Sequence, residues 1–228
     1  MGKKMLTGFL TGILLFTLAG AAGAAMIAVS QGGTTLGYIQ PYTGTEDATT
    51  NYADSQVAPP HGPSRSPHEG QVYFYQNSEG LYLNMHFGTG GPNLNELQTM
   101  RWEITVSDTN DLAVIYSDDP AYGDYSDELE EDQNVNNFFV GHWNWRADVG
   151  DGGVIGLLSD GAWTITINQS YEDPAIMTSL FAYSGDGTSI TLNLTDDIVL
   201  APVPIPGALW LLGSGLLGLA AVRRKRKS

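Results

Sequence analysis

The sequence predicts an all-β protein: a single β-sandwich body of jelly-roll-like form, with an N-terminal signal helix before it and a C-terminal transmembrane helix after it. Three observations lead there. Apolar and polar residues alternate in segment after segment, 28 glycines supply turn clusters between those segments, and the two longest apolar runs sit at the two ends. Alternation with period two sends successive side chains to opposite faces of a sheet, and no extended 3.6-residue repeat competes with it in the body. The chain therefore divides into residues 1–24, 25–201 and 202–228.

At the N-terminus, Lys3 and Lys4 form a basic region, and "MLTGFLTGILLFTL" is a short apolar run from Met5 to Leu18. The small residues of "AGAAGAA" follow, with the best cleavage site at Ala22-Gly23-Ala24 and the cut before Ala25. This is the order of a secretory signal peptide, read by the Sec translocon and signal peptidase. Export implies an oxidising compartment. The 228 residues contain no cysteine, so the body has neither a disulfide nor a thiolate metal site or nucleophile.

In the body, "MIAVS" and "TTLGYI" predict one or two early strands, and "NYADSQVAPPHGPSRSPHEG" makes residues 43–70 a long loop or linker. Strands are then expected over 72–76, 81–87, 101–107, 112–117, 137–147, 154–158, 162–168, 178–184 and 188–199. In "WEITV", Trp102, Ile104 and Val106 share a face opposite Glu103 and Thr105. "AWTITIN" and "SITLNLT" repeat the pattern, and "QVYFYQNSEGLYLNMHF" reads as a hairpin around Asn-Ser-Glu-Gly. In that hairpin Tyr73, Tyr75, Tyr82 and His86 share the outer face, either as an amphipathic outer sheet or as a sugar-binding tyrosine face. The one helix expected in the body is a short piece of "YSDELEEDQN".

Charge narrows the chemistry. All 25 acids fall between Lys4 and Arg223, where only Arg65, Arg101 and Arg146 oppose them, giving that region a formal charge of −22. Such a field repels nucleic acids and excludes them as partners. Asp118, Asp119, Asp124 and Asp127 open a run of acids reaching Asp132. Hard oxygen ligands at that density suit calcium, and the same run also reads as a solvated acidic loop, since its spacing is not that of an EF-hand. Trp143 and Trp145 in "FFVGHWNWRAD" share a face, as two indoles filling the core or as a platform for sugar rings.

The body gives little support for catalysis. His61, His68, His86 and His142 lack metal-ligand spacing, and there is no Gly-x-Ser-x-Gly elbow or phosphate-binding glycine loop. A glycosidase needs only two carboxyls roughly 5–10 Å apart, and among 25 acids such a pair carries no information. The expectation is a non-enzymatic protein, the alternative a secreted carbohydrate-active enzyme.

The C-terminus, "VPIPGALWLLGSGLLGLAAVRRKRKS", has an apolar run from Pro206 to Val222. As a helix it spans roughly 26 Å, close to the hydrocarbon thickness of a bilayer. Trp210 falls at one interface, and Arg223, Arg224, Lys225, Arg226 and Lys227 form a stop on the cytoplasmic side. Gly213, Ser214, Gly215 and Gly218 allow another backbone to approach closely.

The stretch from Val203 to Arg226 closely resembles the PEP-CTERM sorting signal in its VPLPA-like variant. Its motif here is Val203, Pro204, Ile205, Pro206 and Gly207, with Ile205 where the eponymous motif has Glu. The resemblance implies recognition by exosortase, a membrane-embedded transpeptidase-like enzyme of Gram-negative bacteria, with cleavage near the Pro-x-Pro motif. It implies export across the inner membrane, anchorage until cleavage, and a cell-surface or extracellular destination in contact with exopolysaccharide or biofilm matrix.

Overall fold

The computed structural model describes residues 26–55, 62–63, 69–87, 98–108, 110–118, 128–145, 151–159, 161–171 and 177–203. The signal segment 1–24, Pro204 to Gly207, the basic run from Arg223, and Asp119, Asp124 and Asp127 lie outside the described residues. Within them the fold is all-β, with two seven-stranded sheets.

The first sheet contains β1 (Ile27–Gln31), β2 (Thr34–Ile39), β6 (Gln98–Ser107), β8 (Glu128–Glu131), β9 (Phe138–Trp145), β11 (Thr164–Tyr171) and β14 (Ile198–Pro202). Its order is β2-β1-β14-β11-β6-β9-β8, antiparallel at every step. The second holds β3 (Tyr42–Thr43), β4 (Glu69–Gln76), β5 (Leu81–Phe87), β7 (Ala113–Ser117), β10 (Asp151–Leu158), β12 (Ser179–Tyr183) and β13 (Ser189–Leu192). It runs β13-β12-β4-β5-β10-β7, with β12 and β3 both parallel to β4.

Local chemistry sets the turns. Gly32 and Gly33 join β1 to β2 with φ of 55° and 76°, the left-handed pair that a two-residue hairpin loop demands. Between β4 and β5, the Asn77 side-chain oxygen accepts the amides of Glu79 at 2.8 Å and Gly80 at 3.1 Å.

The predicted alternation builds one core between the sheets. Met100, Trp102, Ile104 and Val106 of β6 join Ile165 and Ile167 of β11 and Ile198 and Leu200 of β14 on one side. Val72, Phe74, Leu83, Met85 and Phe87 meet them from the other. Phe87 spans the sheets, its ring centroid 4.7 Å from Trp102 and 4.6 Å from Trp143, and the two indoles meet edge to face at 5.7 Å. Neither indole N–H has a hydrogen-bond partner. Packing against aromatic rings offsets the desolvation of these two donors, because an indole contributes large apolar area and ring edges favour ring faces.

The structure corrects several expectations. Among the described residues of the acidic segment there is no helix: Glu128–Glu131 is strand β8, with Leu129 turned into the core between exposed Glu128 and Glu130. The helix instead lies in the segment read as a loop over 43–70, as α1 (Ala48–Ser55). Asp47 caps it, accepting the Thr50 amide and the Thr50 hydroxyl at 2.8 Å each. The strand expected over 188–199 is two strands in different sheets, β13 and β14. Between them the Asn193 side-chain oxygen accepts the amide and hydroxyl of Thr195, while the Asn193 amide donates to Gln31. Trp143 is fully buried, so it is a core residue and presents no platform to solvent. Among the described residues no helix is long and apolar enough to cross a membrane, and the expected transmembrane run from Pro206 to Val222 lies outside them.

Close packing at Gly141 gives a direct test. A Cβ there would come within 2.0 Å of the Trp143 ring, whereas one at exposed Gly161 meets nothing closer than 3.4 Å. Gly141→Ala is expected to cost about 1–3 kcal/mol and Gly161→Ala no more than about 0.5 kcal/mol, measured by urea denaturation. Equal costs would contradict this packing.

Candidate functional site

The inner face of the second sheet is apolar, and its outer face is not. Alternation that turns Val72, Phe74, Leu83 and Met85 inward turns Gln71, Tyr73, Tyr75, Tyr82, Asn84 and His86 outward. These outward residues are not an exposed face, contrary to expectation: Tyr73, Tyr75 and Asn84 have no accessible surface, and Gln71, Tyr82 and His86 nearly none. Helix α1 and the segment before it cover them, contributing Tyr42, Ala48 and Tyr52 to a second buried cluster with Tyr73, Tyr75, Tyr82 and Val154.

Strand register orders this face. Gln71 of β4 opposes His86 of β5, and His86 opposes Gly152 of β10. The next row is Tyr73, Asn84, Val154 and, on β7, Tyr116. Tyr52 reaches down from α1, its ring centroid 4.2 Å from His86 and 4.8 Å from Tyr116. Its hydroxyl donates to Asp118 Oδ2 at 3.1 Å, and Tyr116 donates to Asp118 Oδ1 at 3.3 Å. Gly152 is small for this reason, since a Cβ there would sit 2.8 Å from the Tyr52 hydroxyl and 2.0 Å from the Met85 carbonyl oxygen. Tyr73 Oη lies 3.3 Å from His86 Nε2. At the face's border Tyr75 donates to the Glu46 carbonyl at 3.0 Å, and Tyr183 donates to the Glu69 carboxylate.

The sequence-predicted residues distribute unevenly over this arrangement. Asp118 belongs to it, nearly buried, with both carboxylate oxygens accepting tyrosine hydroxyls. A calcium ion at Asp118 would share its carboxylate with those hydroxyls, and its partners in that expectation, Asp119, Asp124 and Asp127, are outside the described residues. Among the described residues no three His, Asp or Glu side chains converge as metal ligands. Trp145 ends β9. Val203, first residue of the expected sorting motif, donates its amide to the Met26 carbonyl at 2.7 Å. Sequence reasoning missed Tyr52, Tyr116 and Asn84, which it had no means of bringing together without knowing that α1 folds over β5. The signal it passed over was Asp47 followed by "ATTNYADS", a good N-cap before a short helix.

Comparison with known protein families, curated proteins and solved structures finds no match to this chain.

Burial pushes the phenol of Tyr42 up to about 12, with the Asp186 charge adding to it. Tyr82 likewise rises to about 12 through burial and then its hydrogen bond to Glu79. Tyr183 is raised by burial and then by Glu69. Tyrosine ionises at about 10 in an unfolded chain. Above that pH the folded state retains protons that the unfolded chain has lost, so their stabilisation, complete below about pH 10, disappears as the pH rises toward about 12. Phenolate absorbance is expected to show a late group of tyrosines ionising together with loss of the native circular dichroism. Ionisation of every tyrosine near pH 10 with the fold intact would contradict their burial.

The acidic run from Asp118 to Asp132 is expected to respond to ions through screening alone, because a body at −22 repels itself. Calcium, magnesium and sodium at matched ionic strength should then raise the melting temperature alike. A calcium-selective rise that disappears in Asp124→Asn with Asp127→Asn would establish a structural site instead.

Proposed function

We propose that this chain is an exported protein of a Gram-negative bacterium, sorted by exosortase through its C-terminal signal and released to the cell surface or extracellular matrix. Its jelly-roll-like β-sandwich body acts without catalysis and associates with exopolysaccharide. The observation that carries this reading is "VPIPGALWLLGSGLLGLAAVRRKR", a Pro-x-Pro motif, a glycine-bearing apolar run and a basic cluster in that order. The signal-peptide pattern ahead of Ala25 supplies the export that such a signal requires.

The geometry of the body supports the reading. Met26 and Val203 are bonded neighbours, because β1 and β14 pair antiparallel from Ile27 opposite Pro202 to Gln31 opposite Ile198. Both membrane-directed segments therefore attach at one corner of the body. A domain held there keeps its opposite end clear of the bilayer while either the signal peptide or the tail is attached.

Charge fits the same orientation. Lysine is confined to the two ends, and the acid-rich body meets the anionic cytoplasmic leaflet in none of these states. The five basic residues from Arg223 to Lys227 resist translocation and hold the tail across the membrane until it is cut.

Intact-mass measurement of surface protein from an exosortase-bearing host is the test. The expected species begins at Ala25 and ends within Pro204 to Gly207, and an isogenic host without exosortase should yield protein that retains Ser228. Exported protein still carrying Arg223 to Ser228 in the exosortase-bearing host would overturn the proposal.

A further inference from the structure

Helix α1 is a weak cover for so much buried polar surface. It has eight residues, "ATTNYADS", of which two are threonine and one each asparagine, aspartate and serine. Helices shorter than about 12–15 residues do not hold themselves in water, and these residue types disfavour a helix further. Its buried Ala48 and Asn51 help to hold it, and its largest anchor is Tyr52, whose ring lies against His86 and Tyr116 and whose hydroxyl donates to Asp118. The space it occupies therefore has aromatic walls, a carboxylate acceptor, and a floor kept open by Gly152. That is the complement of a six-membered ring bearing a hydroxyl.

Asn84 distinguishes which ring the space was built for. It lies on the strand of His86 and in the row of Tyr116, the two residues whose rings Tyr52 lies against. It has no accessible surface, and neither its side-chain oxygen nor its nitrogen has a hydrogen-bond partner. A buried amide without partners destabilises a fold, and leucine, with the same number of side-chain heavy atoms, would avoid that cost. Tyr52 brings one hydroxyl, which Asp118 accepts, and serves neither atom of Asn84. A pyranose brings several: C–H faces to lie against rings, and adjacent hydroxyls that match one donor and one acceptor of an amide.

We infer that the outer face of the second sheet is a sugar-binding pocket, held shut by Tyr52, in which His86 and Tyr116 flank a pyranose ring while Asn84 and Asp118 take its hydroxyls. This deepens the proposed association with exopolysaccharide and rests on that reading. Binding lifts α1, exchanging the single hydroxyl of Tyr52 for those of the sugar, so affinity depends on how firmly the helix is fastened.

Calorimetric titration of the full chain with cellotetraose, maltotetraose and mannotetraose tests the pocket, alongside co-sedimentation with the host's own exopolysaccharide. Tyr52→Phe keeps the ring but removes the bond to Asp118, and is expected to tighten tetrasaccharide binding roughly threefold. Asn84→Leu is expected to weaken it about tenfold while raising the melting temperature of the sugar-free protein. Binding unaltered by both substitutions, or none by any of the three proteins, overturns the pocket. Co-sedimentation of wild type and Asn84→Leu to the same extent overturns the pocket and leaves matrix association standing. Failure of the wild type to co-sediment overturns both.

Discussion

The pairing of β14 between β1 and β11 is the constraint on which the first sheet depends. Ile198 and Leu200 of β14 face the core from a central position, and without them β1 and β2 would have no sheet to join. The pairing joins the two ends of the described body, Ile27 to Pro202, so its loop closure is among the most costly in the fold. Contacts so distant in sequence form late and are rewarded only after most of the chain is ordered. Both ends of the body are consequently fixed at one corner, whatever is attached to them.

The two faces of the second sheet show how the same alternation yields different chemistry. Inward, Val72, Phe74, Leu83 and Met85 bury only hydrocarbon and ring surface against the first sheet. Outward, three tyrosines, a histidine, a glutamine and an asparagine lie buried beneath an eight-residue helix and the segment before it. Stability alone does not call for such a face, since each buried polar group must be hydrogen-bonded to avoid a desolvation cost. Tyr52 meets that need at Asp118 and leaves it unmet at Asn84. A short helix over an incompletely satisfied polar surface is what the inferred sugar pocket rests on.

Much of the fold was legible where alternation was strict and turns were marked. The strand Leu81–Phe87 matched its expected bounds, and Asn77 to Gly80 formed the turn between it and β4. Legibility failed where one pattern served two structures. "SITLNLTDDIVL" keeps its alternation through Asn193, so only the local bonds of Asn193, its side chain to Thr195 and its backbone amide to Gln31, reveal that the chain changes sheets there. Acidic composition around Glu128 suggested a helix, yet Leu129 alone needed burial, and a strand delivers one residue inward with both neighbours out. The two faces of β4 and β5 were assigned correctly from sequence. What covers the outer one depended on a helix within a Pro- and Ser-rich segment, and long-range order of that kind leaves no periodic trace.

Hydrogen exchange of the full chain, followed by mass spectrometry, tests most directly whether the ends of the body close the first sheet. Segments covering Ile27–Gln31 and Ile198–Pro202 should exchange as slowly as Thr164–Tyr171, the β11 segment beside them, because all three then open only with the whole sheet. Exchange at the two end segments that runs far ahead of β11 would mean that β1 and β14 separate freely in the native protein, and that the closure described here does not hold the fold together.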